Sequence, residues 1–149
     1  MHQSIDRSCL RNWVAGFGAA TVTFAVPHFV DDFLYGMPAE FGLSEPEAQV
    51  LGGLFFGAIA TVLVLAGRGS RAGMAGSVVV GLLLAAAVIL KHVGPILRPG
   101  PYWGGALSEL SILGLGASSL AWAITSLVAL LSDRSSGPRC DRGDGEFDS

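Results

Sequence analysis

Charge is what this sequence has least of. Only 14% of its 149 residues are Asp, Glu, Lys or Arg, against roughly 25% in an ordinary soluble domain. Lysine is nearly absent: Lys91 is the only one among nine basic residues. No basic run exists, which excludes the electrostatic footprint of a nucleic-acid binder. Cysteine is also scarce. Cys9 and Cys140 have no CxxC or zinc-type neighbour, so neither a metal module nor a disulfide framework is indicated. Walker A, GxGxxG, GxSxG and HExxH motifs are all missing. The enzyme classes that announce themselves in this way gain no support, and the reading leans away from an enzyme.

What is present is apolar. Hydrophobic residues make up 51% of the chain and glycine contributes 21 positions, with a mean hydropathy of +0.56. Four apolar runs stand out: 13–30, 50–66, 72–90 and 106–131. A spanning helix needs about 20 apolar residues, range roughly 17–25. The second run gains length at its start. Ser44-Glu45-Pro46-Glu47 reads as a capping box, with serine at the N-cap, glutamate three later and proline in the first turn. That helix is therefore predicted from about 45 to 66. The fold class that follows is an all-α membrane protein, four transmembrane helices in an up-down bundle over 1–131. Arg7 and Arg11 resemble a signal-peptide n-region, but "AVPHF" offers no small-x-small cleavage site, so span one reads as a retained anchor. The polar, glycine-rich segment 132–149 reads as a disordered cytoplasmic tail. Its Arg142-Gly143-Asp144 triplet is then on the wrong side for an adhesion receptor.

Basic residues set the orientation. Arg7, Arg11, Arg68, Arg71, Arg134, Arg139 and Arg142 fall on one side of the predicted bundle, and only Lys91 and Arg98 on the other. The positive-inside rule places both termini in the cytoplasm of a cell-membrane protein. Tyr35, Tyr102 and Trp103 on the outer side suit an interfacial belt. Arginine-over-lysine usage with an acidic balance points to a GC-rich prokaryote. Four short spans match the general plan of several small bacterial and archaeal membrane families, and a plan carries no function.

Small residues predict how the spans pack. Gly53 and Gly57 form GxxxG in span two. Gly73, Ser77, Gly81 and Ala85 step along span three, and Ala117, Ala121, Thr125 and Ala129 along span four. Gly16, Ala20 and Thr23 do so in span one. Each stripe suits contact within the bundle or a homo-oligomer face. Ser108, Ser111, Ser118, Ser119, Thr125 and Ser126 form a hydroxyl stripe. It either lines a polar path or hydrogen-bonds back to its own helix.

The chemistry-bearing candidates lie on the outer side. His28, Asp31 and Asp32 sit at i, i+3 and i+4, sharing a face if the helix persists past Pro27. His92 ends span three, and Glu109 lies about one turn inside span four. Two imidazoles with three carboxylates suit a transition metal or a proton relay. The same residues also suit a plain helix end at the lipid boundary. Three functions follow. The first is a structural, accessory or partner-binding membrane protein, with the bilayer and a homo-oligomer or membrane-protein partner implied. The second is a membrane oxidoreductase or metal-binding protein using His28, Asp31, Asp32, His92 and Glu109. The third is a small proton or cation permease.

Overall fold

The computed structural model describes residues 7–98 and 105–134, and those residues are helical with short connections. Helix α1 spans Arg7–Leu34, α2 is a single turn at Met37–Glu40, α3 spans Glu45–Gly67, α4 Arg71–Ile96 and α5 Gly105–Arg134. The four long helices run up and down, with α1 and α4 each packed against both α3 and α5. Each is long and apolar enough to cross a membrane. The predicted spans lie inside these helices, which run several residues further at both ends of α1 and at the C-terminal ends of α4 and α5. The last of them continues to Arg134, through the start of the predicted tail. Tyr102, Trp103, Arg139, Cys140, the Arg142-Gly143-Asp144 triplet and the rest of 135–149 lie outside the described residues.

Local chemistry accounts for the element boundaries. At the start of α3 the Ser44 N–H donates to Glu47 Oε2 at 2.8 Å and the Ser44 hydroxyl donates to the same atom at 2.6 Å, closing the expected box. The end of α3 is a Schellman turn. Ser70 N–H reaches the Leu65 carbonyl and Gly69 N–H the Ala66 carbonyl, both at 2.9 Å. This requires Gly69 at φ 75°, where a Cβ costs about 1–2 kcal/mol. Ser70 then caps α4 by accepting from Gly73 N–H. Three residues, Arg68–Ser70, thus reverse the chain.

The distribution of polarity is inverted relative to a soluble bundle. Thr21, Ser77, Ser118, Ser119 and Ser126 are buried, while Leu54, Leu83, Leu90, Leu107 and Leu113 are exposed. In water so much outward apolar surface would form large sticky patches. It is compatible with a transmembrane helical bundle.

Close packing uses small residues, but not always the expected ones. Span three packs as its stripe predicts: Gly73, Ser77, Gly81 and Ala85 are all buried. A Cβ on Gly73 would strike the backbone of Leu65 and Ala66. One on Gly81 would stand 2.6 Å from the Ser119 carbonyl oxygen. The other stripes are corrected. Gly53 and Gly57 face outward with nothing within 4 Å, and Gly52 instead receives the Phe29 ring. On α1 the buried line is Val14, Gly18, Thr21 and Ala25, not Gly16, Ala20 and Thr23. On α5 the buried line runs Ile112, Leu115, Ser119, Trp122, Ser126 and Ala129. The cause is the bulky partner. Trp122, fully buried, fits only where Gly18 leaves room, with Cε2 3.0 Å from the place of a Cβ.

Candidate functional site

Helix α1 continues through Pro27 to Leu34. His28, Asp31 and Asp32 therefore occupy its last two turns, at the end of the bundle away from the chain termini. His28 Nε2 lies 3.8 Å from Asp32 Oδ2, with the imidazole 13% and the carboxylate 33% exposed. His92 arrives from α4. Gly81, Ala85 and Val88 are buried on the same face of that helix and carry His92 inward. The two imidazoles meet edge to face, with centroids 4.8 Å apart and planes at 81°. His28 Nδ1 is buried without a hydrogen-bond partner, a cost of about 1–3 kcal/mol.

Depth follows from helix rise. Counted from the helix midpoints at 1.5 Å per residue, His28 lies about 11 Å and His92 about 13 Å from the mid-plane. A hydrocarbon half-thickness is about 15 Å. For a bundle centred in a bilayer, Asp32 and Glu109 would fall slightly beyond it, at roughly 17 and 16 Å by the same count.

Two spaces border the histidine pair. One, about 20 Å³, is lined by His28, Asp31, Asp32, Tyr35, His92 and Ser108, with Met37 closing it. It suffices for one water molecule. The other, about 310 Å³, has His28, Asp32, Lys91 and His92 at its polar end. Its walls are apolar. Phe29 and Phe56 meet edge to face at 5.5 Å, Phe55 stands beside Phe56, and Leu84 and Val88 complete the α4 side. The stretch after α1 turns back over this space through α2, adding Met37 and Phe41 to the lining. Lys91 Nζ sits 5.2 Å from the Phe41 ring centroid, within cation–π range.

No protein family matches this chain, and neither does any curated protein or any solved structure. The site must therefore be read from its own geometry.

Of the five residues singled out from sequence, His28, Asp32 and His92 come together. Asp31 borders the smaller space. Glu109 lines neither space and is half-buried. Its neighbour Ser108 is the buried one, and consecutive helix residues point about 100° apart. Among the described residues no group of three or more His, Cys, Asp or Glu is arranged to hold a metal ion. The aromatic wall was not recognised from sequence. Its signal was the phenylalanine spacing: Phe29 and Phe33 at i, i+4, and the adjacent Phe55 and Phe56.

The α5 hydroxyls do not form a continuous path. Ser111 donates to the Leu107 carbonyl at 2.9 Å, Ser118 to Leu115 at 3.2 Å and Thr125 to Ala121 at 2.8 Å. For these three the back-bonding alternative holds, while Ser119 and Ser126 are buried without a partner. Ser118 also accepts from Thr21 across the bundle at 3.3 Å. Between buried Ser108 and buried Ser118, about 15 Å of helix, the core face is filled by Ile112 at 0% and Leu115 at 3% exposure.

A further cavity of about 360 Å³ lies at the opposite end, lined by Leu10, Arg11, Gly69, Met74, Ser132 and Asp133 among others.

Proposed function

We propose that this chain is a small multi-pass protein of the cell membrane, with both termini cytoplasmic, that works by binding a small ligand in the 310 Å³ pocket at the outer end of its bundle. The observation that carries this reading is the pocket itself. Histidine, aspartate and lysine side chains meet at one end of an otherwise apolar cavity. A mainly apolar cavity with a few convergent polar groups is the usual form of a small-molecule site. The orientation rests on Arg7, Arg11, Arg68, Arg71 and Arg134 at the terminal end of the bundle, with Arg139 and Arg142 following in sequence, against Lys91 and Arg98 at the other. The binding reading refines the accessory and partner-binding role suggested by the sequence. The buried apolar layer at Ile112 and Leu115 gives the permease alternative less support.

Native mass spectrometry of the protein released from mild detergent tests the binding reading. A small molecule that co-purifies with the wild type and is lost from Ala87→Phe, which fills the pocket's edge, supports it. A clean chain mass for both counts against it. Orientation is read by a membrane-impermeant maleimide on intact cells. Ala39→Cys should label and native Cys9 should not; the reverse pattern inverts the topology.

A further inference from the structure

We propose that the outer pocket takes a neutral, lipid-borne ring that carries hydrogen-bonding oxygens, the phenol–quinone class, admitted sideways from the bilayer between α3 and α4. This rests on the binding reading above and goes on to name the ligand's chemistry.

The route comes from exposure. Phe55 of α3 and Ala87 and Lys91 of α4 line the pocket and are exposed. They frame an opening on the lipid-facing side of the bundle. The opposite ends of the same two helices are shut, with Gly73 against the Leu65–Ala66 backbone. A ligand dissolved in lipid therefore meets the pocket without passing through water.

The walls select a flat body. Phe29 and Phe56, held edge to face, with Phe55 beside them, offer ring faces and edges to a planar guest. Small-molecule pockets run from about 300 to 1,000 Å³, and 310 Å³ is at the low end. The volume suits a substituted six-membered ring, and an attached chain would leave through the α3–α4 opening.

The polar end selects the head. An imidazole presents a donor on one nitrogen and an acceptor on the other. His28 and His92 together can receive a hydroxyl proton or donate to a carbonyl. The buried Nδ1 of His28, without a partner in the protein, is such a group. Lys91 adds a donor. Asp32 lines the same cavity, and a carboxylate there repels a fatty-acid or phosphate head. A quinone carbonyl can accept from Lys91 or from an imidazole N–H, and a phenolic hydroxyl can in addition donate to Asp32, whereas an anionic head would be set against the Asp32 carboxylate.

The test is calorimetric titration of the full-length protein in nanodiscs of neutral lipid with a decyl-substituted benzoquinone, against empty nanodiscs, with oleate as the competing probe. One saturable site per chain is expected for the quinone. It should be weakened tenfold or more in His28→Phe and in Ala87→Phe, with oleate failing to displace it. Ala87 is exposed, so its variant retains the fold even if the buried imidazole change does not, and circular dichroism checks both. No saturable heat above empty nanodiscs overturns the inference, as does equal affinity in wild type and both folded variants. If oleate binds in a manner blocked by Ala87→Phe and the quinone does not, the ring class is wrong while the binding pocket stands. If neither binds and no small molecule co-purifies, both fail.

Discussion

Gly81→Ala should loosen the α4–α5 seam, and Gly57→Ala should not. At Gly81 the added Cβ would lie 2.6 Å from the Ser119 carbonyl oxygen and 3.0 Å from both Ala123 N and Cβ, where ordinary contact begins at 3.4 Å. Two of these three atoms are backbone, so no side chain can swing aside. The helices must part by about 0.8 Å, and a radial gap of 0.5–1 Å forfeits roughly a quarter to a half of each dispersion contact it opens. Overpacking of this kind costs about 1–3 kcal/mol. Replacing a helical glycine returns about 0.5–1 kcal/mol through backbone entropy. The net expectation is a loss of about 1–2 kcal/mol. Gly57 has nothing within 4 Å of its Cβ position, so only the gain applies, about 0.5–1 kcal/mol at most. The two variants should differ by roughly 2 kcal/mol, about thirtyfold in the folded-to-unfolded ratio. Unfolding from mild detergent into dodecyl sulfate, followed by circular dichroism, resolves that difference. A destabilised Gly57→Ala beside an unaffected Gly81→Ala would refute the reasoning and make the GxxxG of α3 a working interface.

Other substitutions probe the turn, the core and the site. Gly69→Ala should cost about 1–2 kcal/mol by forcing a Cβ into φ 75°, read in the same unfolding assay; an unchanged midpoint would exclude the Schellman geometry. Ser119→Ala and Ser126→Ala remove buried hydroxyls that have no partner and should be neutral or stabilising. Thr21→Val, by contrast, removes a hydroxyl that reaches the Phe17 carbonyl at 2.9 Å and Ser118 at 3.3 Å and should lose roughly 0.5–1.5 kcal/mol; a marked loss in either serine variant would show that its hydroxyl is bonded after all. Elemental analysis of the purified protein after metal supplementation should find no stoichiometric metal. A near-equimolar metal that is lost in both His28→Ala and His92→Ala would establish the metal reading instead.

The four helices were legible because membrane-length apolar runs leave little choice, and the start of α3 was legible because Ser44 and Glu47 write a cap. Hydropathy marks where the chain is apolar, not where backbone hydrogen bonding stops. Hence α1 runs past Asp31 and Asp32 to Leu34, and α4 past Lys91 and His92 to Ile96. The packing register was legible only on α4. Small residues occur on every face of these helices, and the bulky partner decides which ones matter: Trp122 chooses Gly18, Phe29 chooses Gly52 and Phe24 chooses Gly114. The meeting of His28 with His92 fits their shared depth. Glu109 has similar depth but a different azimuth, and depth alone does not fix azimuth. The aromatic pocket escaped notice because its walls come from four helices and the turn at α2, whose spacing in sequence is unrelated to their spacing in the fold.

The three-residue reversal at Arg68–Ser70 also has a mechanical consequence. It clamps α3 to α4 at one end, where Gly73 already brings the two backbones into contact, and leaves the other end of the pair without a direct link. The two helices are therefore arranged like the arms of tweezers. Ala87 lies about 21 Å along α4 from the Gly73 pivot. At that lever length a change of only about 5° in the angle between the arms moves their tips apart by about 2 Å. The leverage of such a hairpin is greatest beside His92 and smallest at the turn, so the geometry that could widen the pair and the chemistry lie at the same end of the molecule.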